Sequence, residues 1–350
     1  MINTAMTRMF GIQHPLMLAG MNWISNPKLV AAVCNAGGLG TMAIAQYTPE
    51  ETRKNIRQIR EMTDRPFMVN QPLHRGWARE NIQAAMEEKV PFINYSLGKP
   101  WFIDQVHGYG GKVVGTIAIG KHAARAVELG CDALIVTGHE AAAHGADATS
   151  LVLIPLVTGL VKVPVIAAGG FYDGRGLAAA LSLGAAGISM GTRFILTKES
   201  PVHDNFKQLC LKASEQDTLY STAFDGMPGR ALKSSMSEKM VQGDSFTLLR
   251  AIPNALEIKK LLKQNWIQFL GTSVKMMSGE GGDLVQMARL ANGTVRHQKA
   301  IYDGDTKEGF MFAGQATGPI RDLPPVEELI DRIVAEAETT LKKMGGMVAA

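Results

Sequence analysis

The chain has 350 residues, 46% hydrophobic and 19% charged, enough apolar material for one large α/β barrel or two ordinary domains and too much for a disordered chain. Its 36 basic and 32 acidic residues leave a net charge of +4 without long blocks of either sign, so neither nucleic acid nor an anionic membrane is indicated as a partner. Three widely spaced cysteines, Cys34, Cys131 and Cys210, exclude a disulfide framework and suit a reducing compartment. With no apolar run of the roughly 18 residues a membrane span needs, a cytoplasmic protein is expected.

From the N-terminus, Pro15–Gly20 reads as a strand. Asn26-Pro27 then supplies an N-cap, with proline at the first helical position, for the helix Lys28–Asn35, which Gly37-Gly38 ends. The unit repeats with strand Leu39–Ile44 and helix Pro49–Met62, begun by Thr48 with Glu51 in capping-box register. Strands follow at Pro66–Leu73, Pro91–Leu97, Lys112–Ile119, Asp132–Thr137, Val165–Ala168 and Gly187–Arg193. Between them lie helices Arg79–Lys89, Trp101–Tyr109, Lys121–Leu129, Ser150–Val161 and Arg175–Leu183. Eight strands joined by helix-sized crossovers is the number that closes a parallel TIM (β/α)8 barrel.

A doubly wound sheet would carry a glycine fingerprint after its first strand, and Leu18-Ala19-Gly20-Met21-Asn22 has none. Gly174-Arg175-Gly176-Leu177-Ala178-Ala179 imitates that fingerprint, but it follows the seventh strand with Asp173 placed to cap, so it reads as a helix start. Beyond residue 200 the composition changes. Glu199–Asn265 reads as helices and loops, Ser278–Asp283 as a glycine-rich connector, and Val326–Lys343 as an amphipathic helix. The expected organisation is a barrel over 1–198, a mainly helical insertion after strand 8 over 199–300 that shapes the substrate site, and a C-terminal loop and helix over 301–350 that pack back on the barrel.

Chemistry is expected at the strand C-termini. Gly169-Gly170 and Gly191-Thr192 end the seventh and eighth strands, where glycines let backbone N–H groups approach a phosphate. Two histidines follow the sixth strand. His144, among small residues, is placed to exchange a proton with a substrate, and His139, nearer the strand beside Glu140, competes for the same role or serves as a hydrogen-bonded neighbour. Asn70 and Gln71 end an otherwise apolar strand, where amides read the polar edge of a heterocycle. No metal-ligand spacing occurs.

Taken together, Phe10–Pro15 with Ala19-Gly20-Met21, Asn35–Gly40, Arg65–Asn70, Glu140–His144, Pro164–Gly170, Met190–Phe194 and Ala313-Gly314-Gln315 resemble the nitronate monooxygenases, formerly 2-nitropropane dioxygenases, and the related FabK-type enoyl-ACP reductases. The resemblance implies FMN in the barrel. It places the FMN phosphate at Gly169, Gly170, Gly191 and Thr192, sets Met21, Asn70 and Gln315 around the flavin ring, and puts the catalytic histidine at His144. Ala142-Ala143, Met68 and Gln71-Pro72 depart from the family pattern and are expected to add bulk near the substrate.

The leading expectation is a nitronate monooxygenase that oxidises nitronates or nitroalkanes with O₂, with His144 as general base. The alternative is a reductase of enoyl thioesters or quinones that draws electrons from NADH or NADPH. A flavin-free phosphosugar isomerase or lyase on the same barrel is the third. A homodimer is compatible with each.

Overall fold

Barrel closure rests on a very short first strand, β1 (Leu16–Leu18). It pairs in parallel with β8 (Gly187–Met190) on one side, and on the other it meets the chain leading into β2 (Gly40–Ala43) through a single bridge, Met17 to Leu39. Leu18 N donates to Leu39 O at 3.0 Å and Leu39 N to Leu16 O at 2.9 Å, so the circle closes. The remaining strands are β3 (Phe67–Pro72), β4 (Phe92–Ser96), β5 (Lys112–Ile117), β6 (Ala133–Thr137) and β7 (Val165–Ala168), giving one parallel sheet of eight among the described residues. This is a TIM barrel. The computed structural model describes residues 2–74, 76–142, 144–243 and 284–347. The expected connector at 278–283, the stretch 244–265 and Ala143 lie outside them.

Two compact units are present: one of Met1–Ala141, Gly145–Pro201 and Ile320–Ala350, the other of Ala142–His144 and Val202–Pro319. In the first, the helices are α1 (Ala5–Phe10), α2 (Pro27–Asn35), α3 (Pro49–Met62), α4 (Ala78–Glu87), α5 (Ile103–Gly108), α6 (Lys121–Glu128), α7 (Ser150–Leu160), α8 (Gly174–Ser182) and α9 (Thr192–Ile195). The local caps are those the sequence predicts. Asn26 and Asp173 each accept a backbone N–H from the turn they cap, and Thr48 and Glu51 form a reciprocal capping box.

In this unit two elements differ from expectation. The six-residue α1 is too short to leave a periodic signal, yet its Met6 and Phe10 are buried with Met17, Leu39, Met68, Phe92, Val114 and Ile166 in one interior cluster. Phe10 meets Phe92 edge-on at 4.8 Å. Met68 therefore spends its bulk on the barrel core. The eighth strand stops at Met190, and Thr192 and Arg193 open α9, where Arg193 is buried and paired with Asp322 at 2.7 Å.

The second unit contains α10 (Asp204–Lys212), an antiparallel hairpin β9 (Thr218–Ser221) and β10 (Gly229–Leu232), and helices α11 (Ser235–Gln242) and α12 (Leu284–Gln298). The hairpin corrects the reading of this stretch as helices and loops only. Its strands are four residues long, too brief for alternation to announce them.

The last helix, α13 (Val326–Gly345), belongs to the first unit and packs on α8 and α2. Contact with α8 is intimate at Gly174, where a Cβ would overlap the Ile333 carbonyl oxygen and the Ala337 amide nitrogen. Gly174 N also donates to Glu336 Oε2 at 2.8 Å. Gly174→Ala should accordingly destabilise the protein by about 1–3 kcal/mol in denaturant unfolding. Gly159→Ala, on a face of α7 with nothing within 4 Å, should act in the opposite direction and stabilise by about 0.5–1 kcal/mol.

Candidate active site

In a strand, successive side chains point to opposite faces, and the two amides of β3 show the consequence. Gln71 is fully buried beneath the helices, its Oε1 3.5 Å from Asn81 Nδ2, while Asn81 also ties Ile44 O and Tyr47 O. It is a packing residue. Asn70 lies in register with Asn94 of β4, and its Nδ2 donates to Asn94 Oδ1. Asn94 Nδ2 in turn donates to Val114 O and to Thr116 Oγ1, both at 2.9 Å. With both Asn94 protons committed, its oxygen can only accept, so the Asn70 amide is fixed with Nδ2 inward and Oδ1 left over as an acceptor.

Gly20 makes room for this arrangement, since a Cβ there would stand 2.5 Å from Asn70 Cβ and 3.0 Å from its Oδ1. Met21, next in the chain, is held by Ser25, whose Oγ accepts from Met21 N at 3.0 Å and donates to Ala19 O at 2.7 Å. A Cβ on Gly191 would lie 3.4 Å from Met21 Sδ. The loop after β1 thus brings Asn70, Met21 and Gly191 to the same end of the barrel.

Gly169 and Gly170, after β7, have φ of +103° and +81°, where side chains other than glycine are strained. Gly169 is further enclosed: a Cβ would come within 2.9 Å of Ser150 Oγ and 3.0 Å of Gly138 O. Ser150 is itself fixed by the Glu140 carboxylate, which accepts from its N and Oγ, each at 3.0 Å. The amide N–H groups of Gly169, Gly170 and Gly191 take no partner among the described residues. Unsatisfied donors on two adjacent strand ends, with glycines that admit close approach, fit a phosphate group.

Of the histidines after β6, His139 is a loop fastener, its Nδ1 3.1 Å from Ala146 O and its N donating to Ala148 O at 2.9 Å. His144 belongs to the second unit together with Gln315, which opens a short 3-10 turn, Gln315–Thr317. His144 Nε2 lies 2.8 Å from Oδ2 of Asp225, whose side chain is only 6% exposed against 25% for His144. Asp225 Oδ1 accepts from Met227 N at 3.2 Å. A carboxylate can only accept, so Nε2 carries the proton and Nδ1 keeps a lone pair, with no partner among the described residues.

Aromatic packing holds this ring. Phe312 lies 6.1 Å from His144 and 5.3 Å from His297, and Gly229 keeps the neighbouring space small, a Cβ there falling 3.2 Å from Phe312 and 3.8 Å from His144. Asp225 escaped the sequence reading because it lies 81 residues from its partner with no local pattern. Asn94 left a signal, a lone amide inside an otherwise apolar strand.

The three cysteines are buried and unpaired, with burial pushing the thiols of Cys34 and Cys210 up to about 12. They are inert at neutral pH. Among the described residues there is no cluster of three or more His, Cys, Asp or Glu able to hold a metal, and no helix long and apolar enough to cross a membrane.

The sequence profile of the family described as nitronate monooxygenase matches residues 3–102 and 75–336. The chain belongs to the nitronate monooxygenase family. Members of this family are flavin oxidoreductases acting on small molecules, and this chain is an enzyme of that class. It is 37% identical, over 99% of both chains, to a (3aS,4S,5R,7aS)-5-hydroxy-7a-methyl-1-oxo-octahydro-1H-indene-4-carboxyl-CoA dehydrogenase of Rhodococcus jostii. A probable nitronate monooxygenase of Staphylococcus saprophyticus is 27% identical over 81% of this chain and 94% of its own. Among solved structures, FabK of Thermotoga maritima superposes with a TM-score of 0.81 at 32% identity, covering 99% of this chain and all of that one.

Burial holds the pKa of His297 down to about 4, against smaller opposing effects of its bond to Phe310 O and of Asp225. Folding keeps this ring neutral, whereas in the unfolded chain it protonates near its ordinary value of about 6.5. Its contribution to stability is therefore complete above pH 6.5 and declines as pH falls toward 4, by on the order of 3 kcal/mol at full extent. His297→Asn, which keeps a donor for Phe310 O, should flatten the pH dependence of unfolding across that window.

Proposed function

We propose that the protein is an FMN-dependent oxidoreductase of CoA thioesters. The observation that carries the substrate class is the 37% identity over 99% of both chains with a CoA-ester dehydrogenase, against 27% over 81% for the nitronate monooxygenase relative. The free N–H groups of Gly169, Gly170 and Gly191, with Thr192 beside them, are assigned to the FMN phosphate. Met21 and Asn70 are assigned to the ring, Asn70 presenting Oδ1 as acceptor, and Gln315 is assigned there by the family resemblance.

When bound, FMN exchanges two electrons with the carbon skeleton of the substrate. The thioester carbonyl acidifies the adjacent C–H, and neutral His144 takes that proton at Nδ1 during oxidation and returns it during reduction. Asp225 holds Nε2–H, which fixes the tautomer and stabilises the ring once it is charged. NADH or NADPH serves as electron donor in the reductive direction, and the inert thiols suit a cytoplasmic location.

His144→Ala should retain FMN and lose about 10²- to 10⁴-fold in kcat with a thioester substrate, and Asp225→Asn about 10²-fold or more. His139→Ala should be mild. A fully active Asp225→Asn variant would remove the pair from the mechanism.

Gly191→Val tests the phosphate assignment. Gly191 has ordinary backbone angles, and a Cβ there would make only van der Waals contacts, 3.4 Å to Met21 Sδ and 3.9 Å to Ala19 Cβ, so the variant should fold and purify without flavin. Wild-type flavin content would refute the assignment. Gly169→Val cannot separate the two effects, because its side chain also collides with Ser150 and Gly138.

The family match favours a second reading, a nitronate monooxygenase. Anaerobic mixing separates the two. Bleaching of the flavin by NAD(P)H or an acyl-CoA, reversed by an enoyl-CoA, supports thioester chemistry, whereas indifference to these together with O₂-dependent consumption of a nitronate supports the other.

A further inference from the structure

The two loops that follow β3 and β4 carry groups with no role in the chemistry above. They are fastened together, Leu73 N donating to Ser96 O at 2.9 Å, and Gly98 packs so closely that a Cβ there would lie 2.7 Å from Leu73 Cβ. Leu97 is held at φ +53°, a region a leucine seldom occupies, with its side chain 41% exposed. Trp101, 36% exposed, is braced edge-on by Phe102 at 5.4 Å and carries the guanidinium of Arg79 4.6 Å from its ring centroid.

The charges here differ from those nearby. Arg53, Arg57 and Arg60 of α3 are all paired with Glu87 or Glu88. Arg79 and Lys99 are exposed and have no carboxylate partner among the described residues. The acidic groups closest in sequence, Glu80 and Asp104, lie in the first turns of α4 and α5, where the helix dipole favours them.

Both loops leave the C-terminal ends of parallel strands, so they border the face on which a barrel's ligand sits. An exposed indole pinned by a guanidinium is a flat stacking surface for a purine, and unneutralised Arg and Lys side chains suit phosphate. We propose that Leu97–Trp101 together with Arg79 docks the phosphorylated adenosine end of a CoA ester. This rests on the thioester reading of the same enzyme. NADPH carries a related phosphorylated adenosine, so the experiment includes it.

Calorimetry on the flavin-loaded protein would compare coenzyme A, 4′-phosphopantetheine and NADPH for wild type, Trp101→Ala, Trp101→Phe and the Arg79→Ala/Lys99→Ala double variant. Wild type should bind coenzyme A at least ~10-fold more tightly than phosphopantetheine, and the double variant and Trp101→Ala should lose most of that margin. Trp101→Phe should keep much of it, and phosphopantetheine binding should not change. Coenzyme A affinity unchanged in the variants, or no margin in wild type, overturns the site while the thioester reading stands if CoA esters still exchange electrons with the flavin. Weakened NADPH with unchanged coenzyme A overturns it in favour of the dinucleotide. If no CoA ester exchanges electrons with the flavin, the reading fails and the inference with it.

Discussion

A parallel barrel exists only if its first strand is bonded on both sides, and here that condition rests on Leu16–Leu18 and one bridge to Leu39. Closure sends all eight strands the same way and gathers their C-terminal ends on one face. The polar residues of the barrel collect there. Asn70, Asn94 and Thr116 lie near the ends of β3, β4 and β5, while the opposite half of the interior is filled by methionine, leucine and phenylalanine and by Met6 and Phe10 of α1. A fully apolar interior would pack as well but would leave nothing to orient the amide of Asn70.

Two different devices prepare this end of the barrel. At β7 and β8 the backbone does the work, through N–H groups left free on Gly169, Gly170 and Gly191, the first two at positive φ and Gly169 so enclosed that no side chain fits. At β3 a chain of side-chain hydrogen bonds leaves Asn70 with one orientation. The second unit is organised on another principle. There a buried carboxylate settles which nitrogen of His144 holds the proton, and aromatic side chains pack the ring in place.

Local signals carried much of the architecture. Asn26-Pro27, Asp173 and the Thr48–Glu51 box mark helix starts because a cap is a relation between residues a few positions apart. The alternation of apolar runs with helix-length segments made the barrel legible in the same way. Relations across long separations left no such trace. Asp225, in the turn between β9 and β10, meets His144 across 81 residues, and α1 became meaningful only as a plug for an interior that eight other segments enclose. Met68 illustrates a different gap. A departure from a family pattern marks a changed residue, and only the three-dimensional fold says which cavity receives its volume.

The most direct test of the central claim compares FMN with riboflavin, which lacks only the phosphate, by fluorescence titration of the flavin-free protein. If Gly169, Gly170 and Gly191 hold that phosphate through their backbone N–H groups, riboflavin should bind on the order of 100-fold more weakly than FMN. Equal affinity for the two flavins would contradict the assignment.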